Sequence, residues 1–102
     1  MKIYNKLVRD KIPKIINKNG KVAVVRTLND KEYVNALIKK LKEETTEFET
    51  DKSIEELADM QEVLIALIKF VASAEEVEKV RIQKARSKGT FENRVYLEKV
   101  DG

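Results

Sequence analysis

The chain has 102 residues, with 21 lysines and arginines, 18 aspartates and glutamates, and no cysteine or histidine. Thiol and imidazole catalysis, disulfides and zinc-finger sites are therefore excluded, and the small net charge of +3 does not indicate a nucleic-acid-binding surface. The length provides for one domain with a modest core. The chain starts without a signal-peptide pattern, and its longest apolar stretch has about half of the ~20 residues that a membrane span needs. We therefore expect a cytoplasmic protein with no membrane or nucleic-acid partner.

The first thirty residues predict one short helix and one strand. Pro13 suits the first turn of a helix that ends at about Lys18, before an Asn-Gly pair. The β-branched run at residues 21–28 predicts a strand. Residues 5–12, ahead of the helix, are dense in charge, and a solvated start is their simplest interpretation.

Apolar side chains recur at helical spacing over residues 31–49 and predict the first long helix, with an N-cap at residues 29–30. Glu44 lies at the edge of the apolar stripe, and Glu47 lies one step further round. Glu43 falls on the opposite, solvent side. The pattern therefore indicates Glu44 and Glu47 as an inward-facing pair.

A second long helix follows a capping-box pattern at residues 53–56. One of its two apolar faces carries Leu64, and the other carries Val63 and begins with Glu56 and Asp59. A helix that is apolar on both sides is buried on both sides. Because so short a chain can hardly surround this helix, we expect a homo-oligomer, a dimer or a tetramer, that covers one face.

A similar pattern at residues 73–76 predicts a third long helix that ends at about Lys88, before Gly89. Residues 91–100 predict a closing strand that would pair with residues 21–28. The helix places three cations on the same face as its valines: Arg81, Lys84 and Lys88. Snorkelling at a core edge, ion pairs with carboxylates and a phosphate clamp are all consistent with this basic face.

Four carboxylates of the first two long helices lie at mirrored positions about the short connection between them. Glu47 and Glu56 are equidistant from the turn centre at residues 51–52, and so are Glu44 and Asp59. Antiparallel helices would bring the four to matching heights, where their repulsion favours a hard divalent cation, Mg²⁺ or Mn²⁺. Alternatively, these glutamates are solvated helix faces, because pairs at i, i+3 also arise by chance in so charged a chain.

The acidic pattern at residues 43–47 and 56–59 resembles the EExxE and ExxD signature of the all-α nucleoside triphosphate pyrophosphohydrolases. This superfamily includes MazG, the dimeric dUTPases and phosphoribosyl-ATP pyrophosphohydrolase. The opening at residues 4–13 and the closing stretch at residues 84–91 are similar to those of small MazG-like proteins. The resemblance implies one domain over residues 1–102, an antiparallel all-α bundle with short extended ends that oligomerisation completes.

The resemblance further implies Mg²⁺-dependent cleavage of a nucleoside triphosphate between the α and β phosphates, which gives the monophosphate and pyrophosphate. The carried-over metal ligands and catalytic residues are Glu44, Glu47, Glu56 and Asp59. Lys84 and Lys88 match the closing motif, Lys6 and Arg9 match the opening motif, and with Arg81 of the basic face they would bind the substrate. Two departures from the family pattern are a shorter spacer between the two acidic motifs and the replacement of Arg-Gly-Gly-Phe by Lys-Gly-Thr-Phe.

Two alternatives stay open at this point. One is cleavage of phosphoribosyl-ATP in histidine biosynthesis. The other is a non-catalytic helical oligomerisation or regulatory module, in which the acidic residues bind a metal structurally or pair with Arg81 and Lys84. Metal-dependent turnover distinguishes both enzymes from the module, and substrate competition distinguishes the enzymes from each other.

Overall fold

The computed structural model describes residues 1–102 and contains four α-helices and no β-strand. The helices are α1 (Ile12–Lys18), α2 (Asp30–Thr50), α3 (Ile54–Val71) and α4 (Ala74–Lys88). The predicted all-helical class is therefore confirmed. None of the helices combines the length and the apolar character that crossing a lipid bilayer requires.

Each of the three long helices begins at a side-chain cap. The Asn29 side chain accepts a hydrogen bond from the backbone N–H of Glu32, whose carboxylate accepts one in return from the backbone N–H of Asn29. Ser53 accepts from the backbone N–H of Glu56, and Ser73 caps α4 in the same way. These bonds satisfy N–H groups that the helices themselves leave free, and they fix where the first turns begin.

Helices α2 and α3 form an antiparallel hairpin joined by residues 51–53. Leu37 of α2 and Val63 of α3 are its buried apolar residues, at 3% and 9% exposure. At the open end of the hairpin the rings of Tyr33 and Phe70 pack edge to face, with centroids 5.5 Å apart. Counted along the sequence, Tyr33 and Phe70 are equidistant from the turn centre at residues 51–52, as the acidic pairs are. The same mirrored spacing therefore relates facing residues of α2 and α3 along the whole hairpin.

The predicted strands at residues 21–28 and 91–100 are wrong, because both segments lack regular structure. β-Branched residues favour extended backbone, but a strand also needs a hydrogen-bonded neighbour. Side chains hold the first segment instead: Ala23 N–H donates to Asn17 Oδ1 at 2.9 Å, and Arg26 pairs with Glu32 at 3.0 Å. The second segment is fully exposed.

The single chain does not enclose a core. Its radius of gyration is 18.3 Å, whereas a compact chain of this length has a radius of about 13 Å. Helix α3 buries one apolar face against α2 and leaves large apolar side chains of the other face exposed: Ile54, Leu57, Leu64 and Ile65. The two apolar faces predicted for this helix are thus present, and α2 covers one of them.

Candidate metal centre

Glu44, Glu56 and Asp59 place carboxylate oxygens from α2 and α3 within 4.8 Å of one another. Glu56 and Asp59 are one turn apart on α3, so both side chains lie on the same side of that helix. The short connection turns this side towards Glu44 of α2. The mirrored spacing in the sequence therefore predicted which residues meet, and the hairpin brings them together.

Glu47 joins this group from its exposed rim. Its carboxylate oxygens lie within 4.8 Å of those of Glu43 and Glu44. Burial raises the pKa of Glu56, and the negative charge of Glu47 raises it further, which connects Glu47 to the α3 side of the cluster. The four predicted ligands thus form one acidic cluster: Glu44, Glu47, Glu56 and Asp59.

The exposure of Glu43 differs from the sequence-based expectation, although Glu47 lies beside Glu44 as predicted. Glu43, expected on the solvent side, is half-buried, whereas Glu47 is exposed. Helical phase alone places Glu43 outward, but Lys6 Nζ at 3.4 Å and Lys40 Nζ at 3.5 Å cover its Oε1. Glu43 therefore belongs to the border of the acidic cluster.

Deprotonation of all four carboxylates of the acidic cluster is unfavourable. Burial raises the pKa of Glu44, and repulsion from Glu47 and Asp59 adds to this effect, while Lys40 opposes it. Burial also raises the pKa of Glu56, with repulsion from the other three carboxylates of the cluster. A bound cation would relieve both the burial cost and the repulsion.

Two carboxylate oxygens of the cluster are buried without a hydrogen-bond donor, Glu44 Oε2 and Glu56 Oε2. Glu44 is only 5% exposed, so water does not solvate its charge. An unpartnered buried carboxylate oxygen is costly in free energy, and this cost separates the cluster from an ordinary solvated helix face. The donors are all oxygens, which suits Mg²⁺ or Mn²⁺ rather than a softer metal. The residues therefore fit a hard divalent cation.

Lys40 is a neighbour of the cluster that the sequence reasoning missed. Its Nζ lies 3.4 Å from Glu44 Oε1, and its side chain is 18% exposed. The available signal was its position four residues before Glu44 on the same helix, since side chains at i, i+4 are neighbours.

The opening segment, residues 1–11, reaches the cluster within the same chain. Arg9 Nη2 donates to Asp59 Oδ1 at 2.7 Å, and Lys6 Nζ lies 3.4 Å from Glu43 Oε1. The two basic residues singled out in the opening motif are thus next to the predicted metal ligands. Both side chains nevertheless remain exposed, at 40% and 56%, as a solvated start predicts.

The basic face of α4 does not join the cluster. Arg81 pairs with Glu78 of its own helix, with its Nε donating to the two carboxylate oxygens at 2.9 and 3.0 Å. Lys84 and Lys88 form no ion pair, and no cation of this face pairs with the carboxylates of the hairpin. Val80 on this face is 52% exposed, so no core edge lies beneath these cations in the single chain.

Comparison with known proteins adds little to this picture. No protein-family model and no solved structure matches the chain. A protein of Mycolicibacterium smegmatis described as uncharacterized is 54% identical over 41 residues, which are 40% of this chain and 42% of that protein. The matched part therefore spans less than half of either chain and carries no named activity.

Proposed function

We propose that the chain is a Mg²⁺-dependent nucleoside triphosphate pyrophosphohydrolase of the MazG-like type, which cleaves between the α and β phosphates. The observation that carries this proposal is the buried, unpartnered Oε2 of Glu44 inside a carboxylate cluster built by two helices. The cluster supports a divalent cation. The resemblance of residues 43–47 and 56–59 to the pyrophosphohydrolase signature supports the reaction.

In this proposal Glu44, Glu56 and Asp59 hold the cation, and Glu47 contributes from the exposed rim. The cation, when bound, neutralises phosphate charge and lowers the pKa of water. The water oxygen forms a bond to phosphorus, the anhydride P–O bond breaks, and pyrophosphate leaves with the electron pair of that bond. A carboxylate of the cluster accepts the proton of the water. Glu47 is suited to this role by its exposure, since water and substrate arrive from the solvent side.

Basic residues for the phosphates are available from two places in the chain. Lys6 and Arg9 already lie at the cluster. Lys84, Lys88 and Arg81 form no ion pair with it in one chain, so in this proposal they serve the substrate of a neighbouring copy. The exposed apolar face of α3 supports such a homo-oligomer, because an uncovered stripe of this kind is typical of a surface between subunits.

The decisive experiment measures pyrophosphate release from a panel of nucleotides, with Mg²⁺ and with a chelator. The panel holds common, deoxy and damaged triphosphates and phosphoribosyl-ATP. Glu44→Gln tests the cluster, and Glu55→Gln is the matched control, since Glu55 is an exposed glutamate of α3 outside the cluster. We expect release that needs Mg²⁺, is lost in Glu44→Gln and is retained in Glu55→Gln. Equal release by both variants would contradict the proposed site.

The same panel decides between the two enzymes. Preferred cleavage of phosphoribosyl-ATP over all triphosphates would place the protein in histidine biosynthesis. Preferred cleavage of a damaged or deoxy triphosphate would support a house-cleaning role.

A non-catalytic module is the second candidate, and the ion pairs of the cluster favour it. Lys40 and Arg9 compensate part of the acidic charge without any cation. This candidate predicts no release from any nucleotide of the panel, while Glu44→Gln still changes stability or assembly.

A further inference from the structure

The acidic cluster and its border have two kinds of counter-cation. Lys40 belongs to α2, and its side chain is 18% exposed. Lys6 and Arg9 belong to the opening segment, which has no regular structure before α1, and their side chains are 40% and 56% exposed. Lys40 is therefore fixed by its helix, whereas the other two cations are held at the cluster through exposed contacts.

We propose that Arg9 and Lys6 are exchangeable counter-ions of the metal centre. A divalent cation that binds Asp59 displaces Arg9, and its positive charge next to Glu43 weakens the ion pair of Glu43 with Lys6. The released guanidinium and ammonium groups then bind the phosphates of the substrate. The inference rests on the proposed function, because it needs the cation and a polyphosphate substrate. The proposal assigns to the opening segment the step that couples binding of the cation to binding of the substrate phosphates.

The charges of the exchange balance. Lys6 and Arg9 together carry two positive charges to Glu43 and Asp59, and one Mg²⁺ or Mn²⁺ carries the same two charges. The net charge of the cluster with its counter-ions is thus unchanged by the replacement. Lys40 stays next to Glu44 before and after it.

The contacts are of a kind that a cation can displace. Arg9 contacts Asp59 through one 2.7 Å hydrogen bond, and both side chains are more than a third exposed. Ion pairs in contact with water contribute little free energy, so their loss opposes cation binding only weakly. A guanidinium released beside the cluster suits the next partner, since its planar fork matches phosphate oxygens.

The first test measures the affinity of the protein for Mn²⁺ alone, by electron paramagnetic resonance of the free ion. The variants are Arg9→Gln and the double variant Lys6→Gln/Arg9→Gln. Lys2→Gln is the matched control, because Lys2 lies over the Tyr4 ring at 5.1 Å and pairs with no carboxylate. We expect about two- to five-fold tighter Mn²⁺ binding for each competing ion pair removed, and no change in the control.

The second test measures the affinity for inorganic tripolyphosphate, by calorimetry in saturating Mn²⁺. Here the same variants lose phosphate contacts, so we expect binding at least about ten-fold weaker than in the wild type. Tighter Mn²⁺ binding together with weaker tripolyphosphate binding distinguishes exchange from a merely structural role. Loss of a structural role would weaken both affinities. The tripolyphosphate test needs no turnover and so does not depend on the substrate.

Unchanged or weaker Mn²⁺ binding in Arg9→Gln overturns the exchange and leaves the metal centre standing. Unchanged tripolyphosphate binding in the double variant overturns the phosphate role of the two side chains. A wild-type protein that binds no Mn²⁺ overturns the metal centre itself, and the exchange with it.

Discussion

Lys40 and Glu44 form the most enclosed ion pair of the chain, with Nζ 3.4 Å from Oε1 and side chains 18% and 7% exposed. The other oxygen of Glu44 has no donor, so Lys40 provides the direct compensation for this buried charge. Because the two residues are one turn apart on α2, the compensation is built into the same helix that carries the candidate ligand.

Replacing Lys40 by methionine should therefore destabilise the protein. The variant leaves Glu44 buried without its cation, and we expect the free energy of unfolding to fall by about 1–3 kcal/mol. Urea unfolding in the presence of a chelator measures this change. Lys39→Met is the control, since Lys39 is exposed and forms no ion pair. Adding Glu44→Gln to Lys40→Met should restore most of the loss, and a double variant as unstable as the single one would contradict the pair.

Glu44→Gln should weaken metal binding without disrupting the fold. The raised pKa of Glu44 means that its charge is unfavourable in the metal-free fold, so the neutral amide should leave helicity intact and increase metal-free stability. Catalysis and metal affinity should both fall, by more than about 100-fold for turnover. Circular dichroism, urea unfolding with and without Mg²⁺, and pyrophosphate release measure the three quantities. A variant that is still stabilised by Mg²⁺ as strongly as the wild type would remove Glu44 from the ligand set.

Stability should depend on pH in the direction set by Glu44 and Glu56, whose pKa values are both raised in the fold. The folded state binds these protons more tightly than the unfolded chain. Their contribution is therefore fully present below the ordinary glutamate pKa of about 4.3, and it is lost as the pH rises through the raised values.

The measurement compares the wild type with Glu44→Gln/Glu56→Gln in a chelator, at several values between about pH 4 and pH 7. We expect the wild type to lose stability relative to the double variant as the pH rises. Glu32 and Glu78 have lowered pKa values and act in the opposite direction, but both proteins contain them, so their effect cancels. Saturating Mg²⁺ should restore the stability of the wild type at the upper end of this pH range, since metal binding favours the deprotonated carboxylates. A stability difference between the two proteins that does not change with pH would contradict the raised pKa values of Glu44 and Glu56.

The sequence predicted the hairpin and the meeting of its carboxylates because both depend on local rules. Helical periodicity and the caps at Asn29, Ser53 and Ser73 set the helices, and the short connection set their antiparallel pairing. Once the helices and their pairing were known, the mirrored spacing of Glu44 and Asp59 in the sequence was enough to predict that the two residues meet. No packing detail was needed for this step.

The parts that the sequence did not predict depend on where distant segments lie. Nothing in the local pattern places Arg9 against Asp59, which is 50 residues further along the chain. The exposure of Glu43 was misjudged for the same reason, since Lys6 covers it from the opening segment. The strand prediction at residues 21–28 failed because β-branched composition describes a backbone preference and not the presence of a partner.

The exposed apolar face of α3 predicts assembly that depends on Leu64. This side chain is 48% exposed and lines a groove with Leu41 of α2 and Leu57 of α3. An aspartate there would carry a charge into any surface between two copies, which costs far more than the same charge in water. We therefore expect Leu64→Asp to reduce the mass measured by light scattering after size-exclusion chromatography, from a dimer or tetramer towards the monomer.

The matched control for this change is Glu62→Ala, because Glu62 is exposed on the opposite side of α3, about 200° round the helix from Leu64. The control should keep the mass of the wild type. Circular dichroism of Leu64→Asp should still show a helical chain, since α2 packs on the other face of α3, at Val63. If Leu64→Asp keeps the mass of the wild type, the subunits meet at a different surface. If the wild type is itself a monomer, the homo-oligomer is excluded, and Lys84 and Lys88 lose the neighbouring cluster that their proposed role requires.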